Sequence, residues 1–272
     1  MTVAPSDAAG LRAQLEATWG SLLELGRSLD DADFATPTRC PGWDVRAQFA
    51  HVLGTESMLA SRPSPPAAEG RPPHVRNDIG SFNEAWVTQW SSQPPAELLD
   101  ELAAVVAARS EALAGMDDEA MAAPSWTPVG QATYGRFMQI RVFDCWVHEQ
   151  DVRAAVDRPG HQSGPAAEQA LDEVERNLGY VVAKRAATPP GTLVGFSLHG
   201  PLARDLWVEV PPEGRAGVVA DPGRPAEVTI ALDGMTFMAL ACGRVTPMPV
   251  MADITGDRVL GARIVEHLAF TI

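Results

Sequence analysis

The stretch Arg141-Val-Phe-Asp-Cys-Trp-Val-His-Glu-Gln-Asp151 places charged residues among large apolar ones at helical spacing. Asp144 and His148 are four residues apart, so on a helix their side chains lie one turn apart on the same face. Asp151 follows on that face after a further turn. A carboxylate and an imidazole stacked in this way form half of a divalent-metal site. The spacing therefore predicts a helix here and raises the question of which residue completes the site.

A second stretch, Cys40-Pro-Gly-Trp-Asp-Val-Arg-Ala-Gln-Phe-Ala-His-Val-Leu-Gly54, carries the candidate for the missing ligand. Its Pro-Gly pair predicts a turn, and Asp44 is a suitable N-cap for a helix that carries His51. The neighbours of His51 on its helix face are small or pliable, which leaves room above the imidazole. Two histidines and one carboxylate, with water or substrate, form an open three-ligand site of the kind found with catalytic zinc.

Other interpretations of these residues stay open from the spacing alone. A histidine on a half-buried helix is commonly a hydrogen-bonded core residue, and six histidines in 272 residues is an ordinary number. Asp144 also has possible ion-pair partners on its own helix, namely Arg141 and Arg136.

The segments around the two motifs predict a helical N-terminal half. Apolar residues recur at helical spacing in four long segments. These segments are about Asp7–Leu29, Asp44–Ala60, Ile79–Gly115 and Tyr134–Val156. The pair Pro94-Pro95 interrupts the third segment, and loops are predicted at Arg62–Pro73 and Met121–Gly130. The pattern predicts an α-helical four-helix bundle in residues 1–160, whose second and fourth helices bring the ligands together.

After Gly160 the long helical segments give way to shorter ones and to β-type runs, and we predict a linker at Asp157–Gly164. Residues 161–272 predict a smaller α+β domain with an antiparallel sheet, because short β-type runs alternate with proline, glycine and charged residues. The predicted strands are Leu193–Leu198, Asp205–Val210 and Ala226–Ala231. The predicted helices are Pro165–Ala187, Met235–Ala241 and Asp257–Leu268.

Composition excludes several classes of function. A net charge of −14 argues against non-specific binding to nucleic acid or to an anionic membrane surface. No run of eighteen apolar residues predicts a membrane span, and the N-terminus lacks the pattern of a signal peptide, so we expect a soluble cytoplasmic protein. Three widely spaced cysteines argue against a disulfide framework. We predict structural roles for Cys145, which points away from the ligand face, and for Cys40 in its turn.

Taken together, the Cys-Pro-Gly-Trp turn before His51, the later helix with Asp144 and His148, and the tail Ile254–Phe270 resemble the mycothiol-dependent maleylpyruvate isomerase family. The resemblance implies a DinB-like metal-binding bundle followed by a sterol-carrier-like domain. It also implies zinc held by His51, Asp144 and His148, with mycothiol as thiol cosubstrate. Family members often carry glutamate where this chain has Asp144. The side chain is one methylene shorter, which bears on ligand geometry and on the choice among zinc, nickel and iron.

The chemistry that the resemblance implies begins with a thiol that loses its proton at the metal and becomes a nucleophile. Addition to a cis double bond, rotation and expulsion of the thiol give the trans isomer, whereas a transferase leaves the thiol attached. A dicarboxylate substrate needs a cationic partner, for which we predict Arg244, with Arg39 and Arg141 as alternatives. Trp43 and Tyr134 are candidates for the pocket lining.

Three functions therefore compete. The first is a zinc enzyme, monomeric or homodimeric, that joins or transiently adds a small thiol to a small electrophile. The second is a non-catalytic small-molecule binding protein that uses its C-terminal domain. The third is a metal-dependent regulator without turnover. The lack of a basic DNA-reading helix disfavours the third, and the coincidence of His51, Asp144 and His148 disfavours the second.

Overall fold

The computed structural model describes residues 7–271, which fall into two compact units, 7–161 and 162–271. The first unit is mostly helical and the second contains a five-stranded sheet. The predicted succession of a helical region and a sheet-containing region is confirmed. The first six residues, part of the N-terminus that predicted no signal peptide, lie outside the described residues. Within residues 7–271, every helix is too short or too polar to cross a membrane.

The first unit is built on helices. They are α1 (Ala8–Arg27), α2 (Asp31–Phe34), α3 (Val45–Leu59), α4 (Asp78–Trp90), α5 (Pro95–Ala114), α6 (Asp118–Ala122) and α7 (Tyr134–Ala155). The long helices pack in a ring, in which α1 and α3 each contact both α5 and α7, while α4 packs on α3. The predicted break at Pro94-Pro95 separates α4 from α5, and Pro95 occupies the first position of α5, where no N–H donor is needed.

The two helices that carry the predicted ligands begin where their capping residues indicate. Asp44 Oδ1 accepts a hydrogen bond from the backbone N–H of Ala47 at 2.9 Å, and Thr133 Oγ1 accepts one from Arg136 at 3.1 Å. Helix α7 ends two residues before Asp157, whose φ of 52° is left-handed and ends the helix. Both helices are largely buried, so their polar side chains find partners inside the unit.

The segment Met121–Gly130 is not the loop that we predicted. It contains the end of α6 and most of an antiparallel hairpin, β1 (Pro124–Thr127) and β2 (Gly130–Thr133). The two prolines that suggested a loop are tolerated because one begins a strand and the other lies in the turn, where no ladder N–H is required. Thr127 Oγ1 closes the turn by donating to the carbonyl oxygen of Gly130 at 2.7 Å.

The second unit follows the predicted order of elements. They are α8 (Pro165–Tyr180), β3 (Leu193–His199), β4 (Arg204–Glu209), β5 (Gly217–Val219), β6 (Val228–Asp233), α9 (Gly234–Ala241), β7 (Asp253–Gly256) and α10 (Arg258–Glu266). A π-helical turn extends α8 over Val181–Arg185. The strands β5 and β7 were not predicted, because three or four residues are too few to show a period.

The sheet of the second unit is mixed, so the prediction of an antiparallel sheet is wrong for one pairing. The strand order is β5-β4-β3-β6-β7, and β3 and β6 run parallel, with Val194 opposite Val228. The other pairings are antiparallel, as predicted. From β3 the chain passes through β4 and β5 on one side and returns on the other side in the original direction. Apolar alternation predicts the strands but carries no information on the direction of a partner.

Candidate metal centre

Helices α3 and α7 bring His51, Asp144 and His148 together, and we call these three residues the ligand cluster. His51 Nε2 lies 3.0 Å from Asp144 Oδ2, and His148 Nε2 lies 3.5 Å from Asp144 Oδ1. When each residue offers one ligand atom, the three atoms lie within 4.8 Å of one another, which is the spacing of a possible metal site. Ligands about 2.0–2.1 Å from a tetrahedral zinc ion are themselves roughly 3.3 Å apart. The two imidazoles are buried, while 28% of the Asp144 side chain is exposed. The cluster is therefore open to solvent on its carboxylate side.

The ring of His148 is oriented through its other nitrogen. Gln48 Oε1 lies 2.5 Å from His148 Nδ1, and Asp151 Oδ2 lies 3.7 Å from the same atom. The amide oxygen only accepts, so the neutral ring carries its proton on Nδ1 and presents the lone pair of Nε2 toward Asp144. Metal-binding histidines are commonly fixed in this way.

The ring of His51 contacts Asp144 through Nε2 and packs against two other rings. Its centroid lies 4.4 Å from that of His148 and 5.3 Å from that of Trp43. Within residues 7–271, the buried Nδ1 atom of His51 has no hydrogen-bond partner. Trp43 also lies 5.9 Å from His148, and its indole Nε1 donates to Glu84 Oε2 at 3.2 Å. One aromatic side chain thus covers both imidazoles.

Electrostatics keep the carboxylate of the cluster ionised. Burial disfavours the charged form of Asp144, but His51, Arg141 and His148 outweigh it and hold the pKa of Asp144 well below its usual value. Burial lowers the pKa of His51, which Asp144 only partly offsets. Burial also opposes a charged His148, yet Asp144 and Cys40 raise the pKa of His148 to about 9. Two neighbouring histidines therefore differ in proton affinity.

A buried ion network lies behind Asp144. Arg141 forms an ion pair with Asp144 and another with Glu56, where Nη2 lies 2.9 Å from Oε1. Arg109 Nε donates to the second oxygen of Glu56 at 3.1 Å. Glu56, Arg109 and Arg141 are each at most 3% exposed. The ion pair between Arg141 and Asp144, considered from the sequence as an alternative to a metal site, is present and shares Asp144 with the ligand cluster.

The cysteines fit the structural roles that we predicted. Cys145 is fully buried, and burial, reinforced by Glu56, raises the pKa of its thiol far above the usual value despite Arg141. The Cys40 thiol is buried and donates to Asp151 Oδ2 at 3.2 Å. Cys40, His148 and Asp151 also form a second group with metal-ligand spacing, which shares His148 with the ligand cluster.

Several neighbours of the cluster had no assigned role from the sequence. Gln48 and Glu56 lie on α3, three residues before and five residues after His51, and no sequence pattern indicated their roles. Asp151 was the exception, since it follows His148 by three residues and the spacing placed it near the same helix face. A groove of about 440 Å³ beside Trp43 is lined in part by Cys40, Trp43, Arg46 and Val87. The turn before α3 thus borders both the cluster and a small-molecule-sized groove.

Three further residues were candidates for the pocket lining or the substrate site. Tyr134 begins α7, about 15 Å along the helix axis from Asp144. Arg39 is exposed in the turn before α3. Arg244 follows α9 in the second unit, where its Nη1 donates to the carbonyl oxygen of Cys242 at 2.9 Å. The role of Arg244 stays a prediction.

Comparisons with known proteins place the cluster in a family context. The model of the mycothiol maleylpyruvate isomerase N-terminal domain matches residues 15–153, which include all three cluster residues. Uncharacterized proteins from two strains of Mycobacterium tuberculosis are each 28% identical over 199 residues, 72% of this chain and 74% of their own. The crystal structure of a mycothiol-dependent maleylpyruvate isomerase has a TM-score of 0.55 at 16% identity and covers 91% of this chain and 92% of its own. A mutant of that enzyme gives a TM-score of 0.54 at the same coverage. These crystal structures share the fold.

Proposed function

Because the chain belongs to the mycothiol maleylpyruvate isomerase N-terminal domain family, we propose that it is a metal-dependent enzyme that uses mycothiol to transform a small electrophile. The reaction is the cis–trans isomerisation of an unsaturated dicarboxylate such as maleylpyruvate, or the transfer of the thiol to a related acceptor. The observation that carries this proposal is the convergence of His51, Asp144 and His148 at ligand spacing. We place the enzyme in the cytoplasm.

Residues of α3 and α7 would hold the metal, with zinc as the first candidate. The two imidazoles offer Nε2 atoms and Asp144 offers an ionised carboxylate, which is the donor set of an open zinc site. When bound, the metal supplies a positive charge at which a thiol loses its proton near neutral pH. Gln48 fixes the ring of His148, and Trp43 packs against both histidine rings.

The substrates would be bound by groups outside the ligand cluster. We assign the groove beside Trp43 to the bulk of the thiol cosubstrate, because its volume of about 440 Å³ is that of a small-molecule site. We assign Arg244 to a substrate carboxylate, because a guanidinium binds a carboxylate through two hydrogen bonds. In this proposal residues 1–160 form a DinB-like four-helix bundle and residues 161–272 a sterol-carrier-like domain.

Metal content tests the first half of the proposal. Wild type, His148→Ala and the matched control His161→Ala are purified without a metal-binding tag, offered zinc at neutral pH and measured by inductively coupled plasma mass spectrometry. His161 also pairs with a buried carboxylate, Glu149, at 2.7 Å, but lies outside the cluster. We expect close to one zinc per chain in wild type and in the control, and loss in His148→Ala. A wild type that takes up no metal would refute the proposal.

Turnover tests the second half. Wild type and His51→Ala, each offered zinc at the same concentration, are mixed with mycothiol and maleylpyruvate, and both the trans isomer and the thiol adduct are followed. We expect product that depends on both mycothiol and His51. If both proteins bind the substrate equally well and neither forms product with any cis-dicarboxylate or acceptor tested, the chain is instead a non-catalytic binding protein.

A further inference from the structure

We propose that Arg141 is a positioning residue that holds one oxygen of Asp144, so that the aspartate offers the metal a single oxygen. This inference rests on the proposed metal site at His51, Asp144 and His148. The two carboxylate oxygens have different surroundings. Oδ2 contacts the Arg141 guanidinium and lies 3.0 Å from His51 Nε2, whereas Oδ1 faces His148 Nε2 at 3.5 Å.

Arg141 cannot turn away from Asp144 without breaking a second ion pair. Its side chain is 3% exposed, and the opposite edge of its guanidinium lies 2.9 Å from Glu56, which is fully buried. Glu56 is fixed in turn by Arg109 on α5, at 3.1 Å. A guanidinium is planar, and its donors have a fixed fork geometry. The network therefore sets the orientation of the Asp144 carboxylate from behind.

An oxygen that accepts a charge-assisted hydrogen bond already has one of its two lone pairs engaged, so the oxygen without that bond is the better metal ligand. Binding through one oxygen keeps the coordination number low and leaves a position for a thiol. Removing partners that orient a ligand typically lowers metal affinity by about 10–100-fold.

Cobalt(II) tests this inference, because its visible bands weaken as the coordination number rises. The variants are Arg141→Gln and Arg141→Lys. The matched control is Arg153→Gln, since Arg153 also lies on α7 and pairs with a buried glutamate, Glu149, at 2.7 Å. We expect Arg141→Gln to lose cobalt affinity by roughly 10–100-fold in chelator competition and to show weaker bands at saturation. Arg141→Lys should fall between wild type and Arg141→Gln, and the control should match wild type.

The outcomes separate this inference from the proposed function. No cobalt binding by wild type would refute the metal site itself. If wild type binds cobalt and Arg141→Gln has the same affinity and spectrum, the inference alone is overturned. An equal loss of cobalt affinity in Arg153→Gln would overturn it as well. If Arg141→Gln does not fold, Arg141→Lys is tested instead for lower cobalt affinity and weaker bands. A lysine ammonium group keeps the charge but lacks the planar set of donors with which a guanidinium bridges two carboxylates.

Discussion

Replacing Glu56 by leucine should destabilise the first unit strongly. Glu56 is fully buried and accepts from Arg109 at 3.1 Å and from Arg141 at 2.9 Å. In the variant Arg141 keeps Asp144, but Arg109 loses its carboxylate partner and keeps a contact with the sulfur of Met138 at 3.3 Å. Breaking a buried ion pair by removing one partner costs about 3–5 kcal/mol. At about 2–4 °C per kcal/mol for a unit of this size, Tm should fall by roughly 6–20 °C.

A double variant separates the charge from the change in packing. Glu56→Leu combined with Arg109→Leu removes both members of one pair, and such replacements are often close to neutral. We therefore expect the double variant to be more stable than Glu56→Leu alone. Tryptophan fluorescence during urea unfolding is a suitable probe, because six of the seven tryptophans precede residue 162. A Glu56→Leu variant within about 1 kcal/mol of wild type, or a double variant less stable than the single one, would refute this reasoning.

Three further predictions concern the cluster and its neighbours. Gln48→Ala should lower zinc affinity by about tenfold, measured by chelator competition, because His148 loses the acceptor that orients it. The pKa of His148 in the metal-free protein is raised to about 9, so below that pH zinc must displace a proton. Zinc affinity should accordingly rise about tenfold per pH unit up to about pH 9, with near one proton released in calorimetry at pH 7.5; an affinity independent of pH would contradict this. Cys145 should resist iodoacetamide at pH 8 in the folded protein and react after unfolding, because burial raises its pKa; peptide mass spectrometry reads the modification.

The ligand cluster was predictable because two of its members are local in sequence. Asp144 and His148 are one helical turn apart, and that spacing alone puts them on one face. Local spacing could not place His51, since only the packing of α3 on α7 decides which α3 residues meet that face. Gln48 and Glu56 lie on the same buried helix, yet in the sequence they look like any polar residues of a surface helix. Their roles depend on the rotation of one helix against another, which no local pattern encodes.

Among the helices and strands, too, local features were predictable and features that depend on distant parts of the chain were not. The start of α3 was predictable because a cap is a local hydrogen bond. The parallel pairing of β3 with β6 was not, because strand direction depends on the path of the intervening chain. The hairpin at residues 124–133 was missed because its prolines occupy the few strand and turn positions that tolerate them.

A metal bound to the ligand cluster would join residues far apart in the chain. His51 and Asp144 are separated by 93 positions, and they lie on two different helices. Release of the ion breaks bonds to both helices, so a local separation of α3 from α7 would speed that release. The half-life of bound zinc in an excess of chelator would therefore report how fast α3 and α7 separate locally. Variants that loosen the pair without touching a ligand should shorten that half-life.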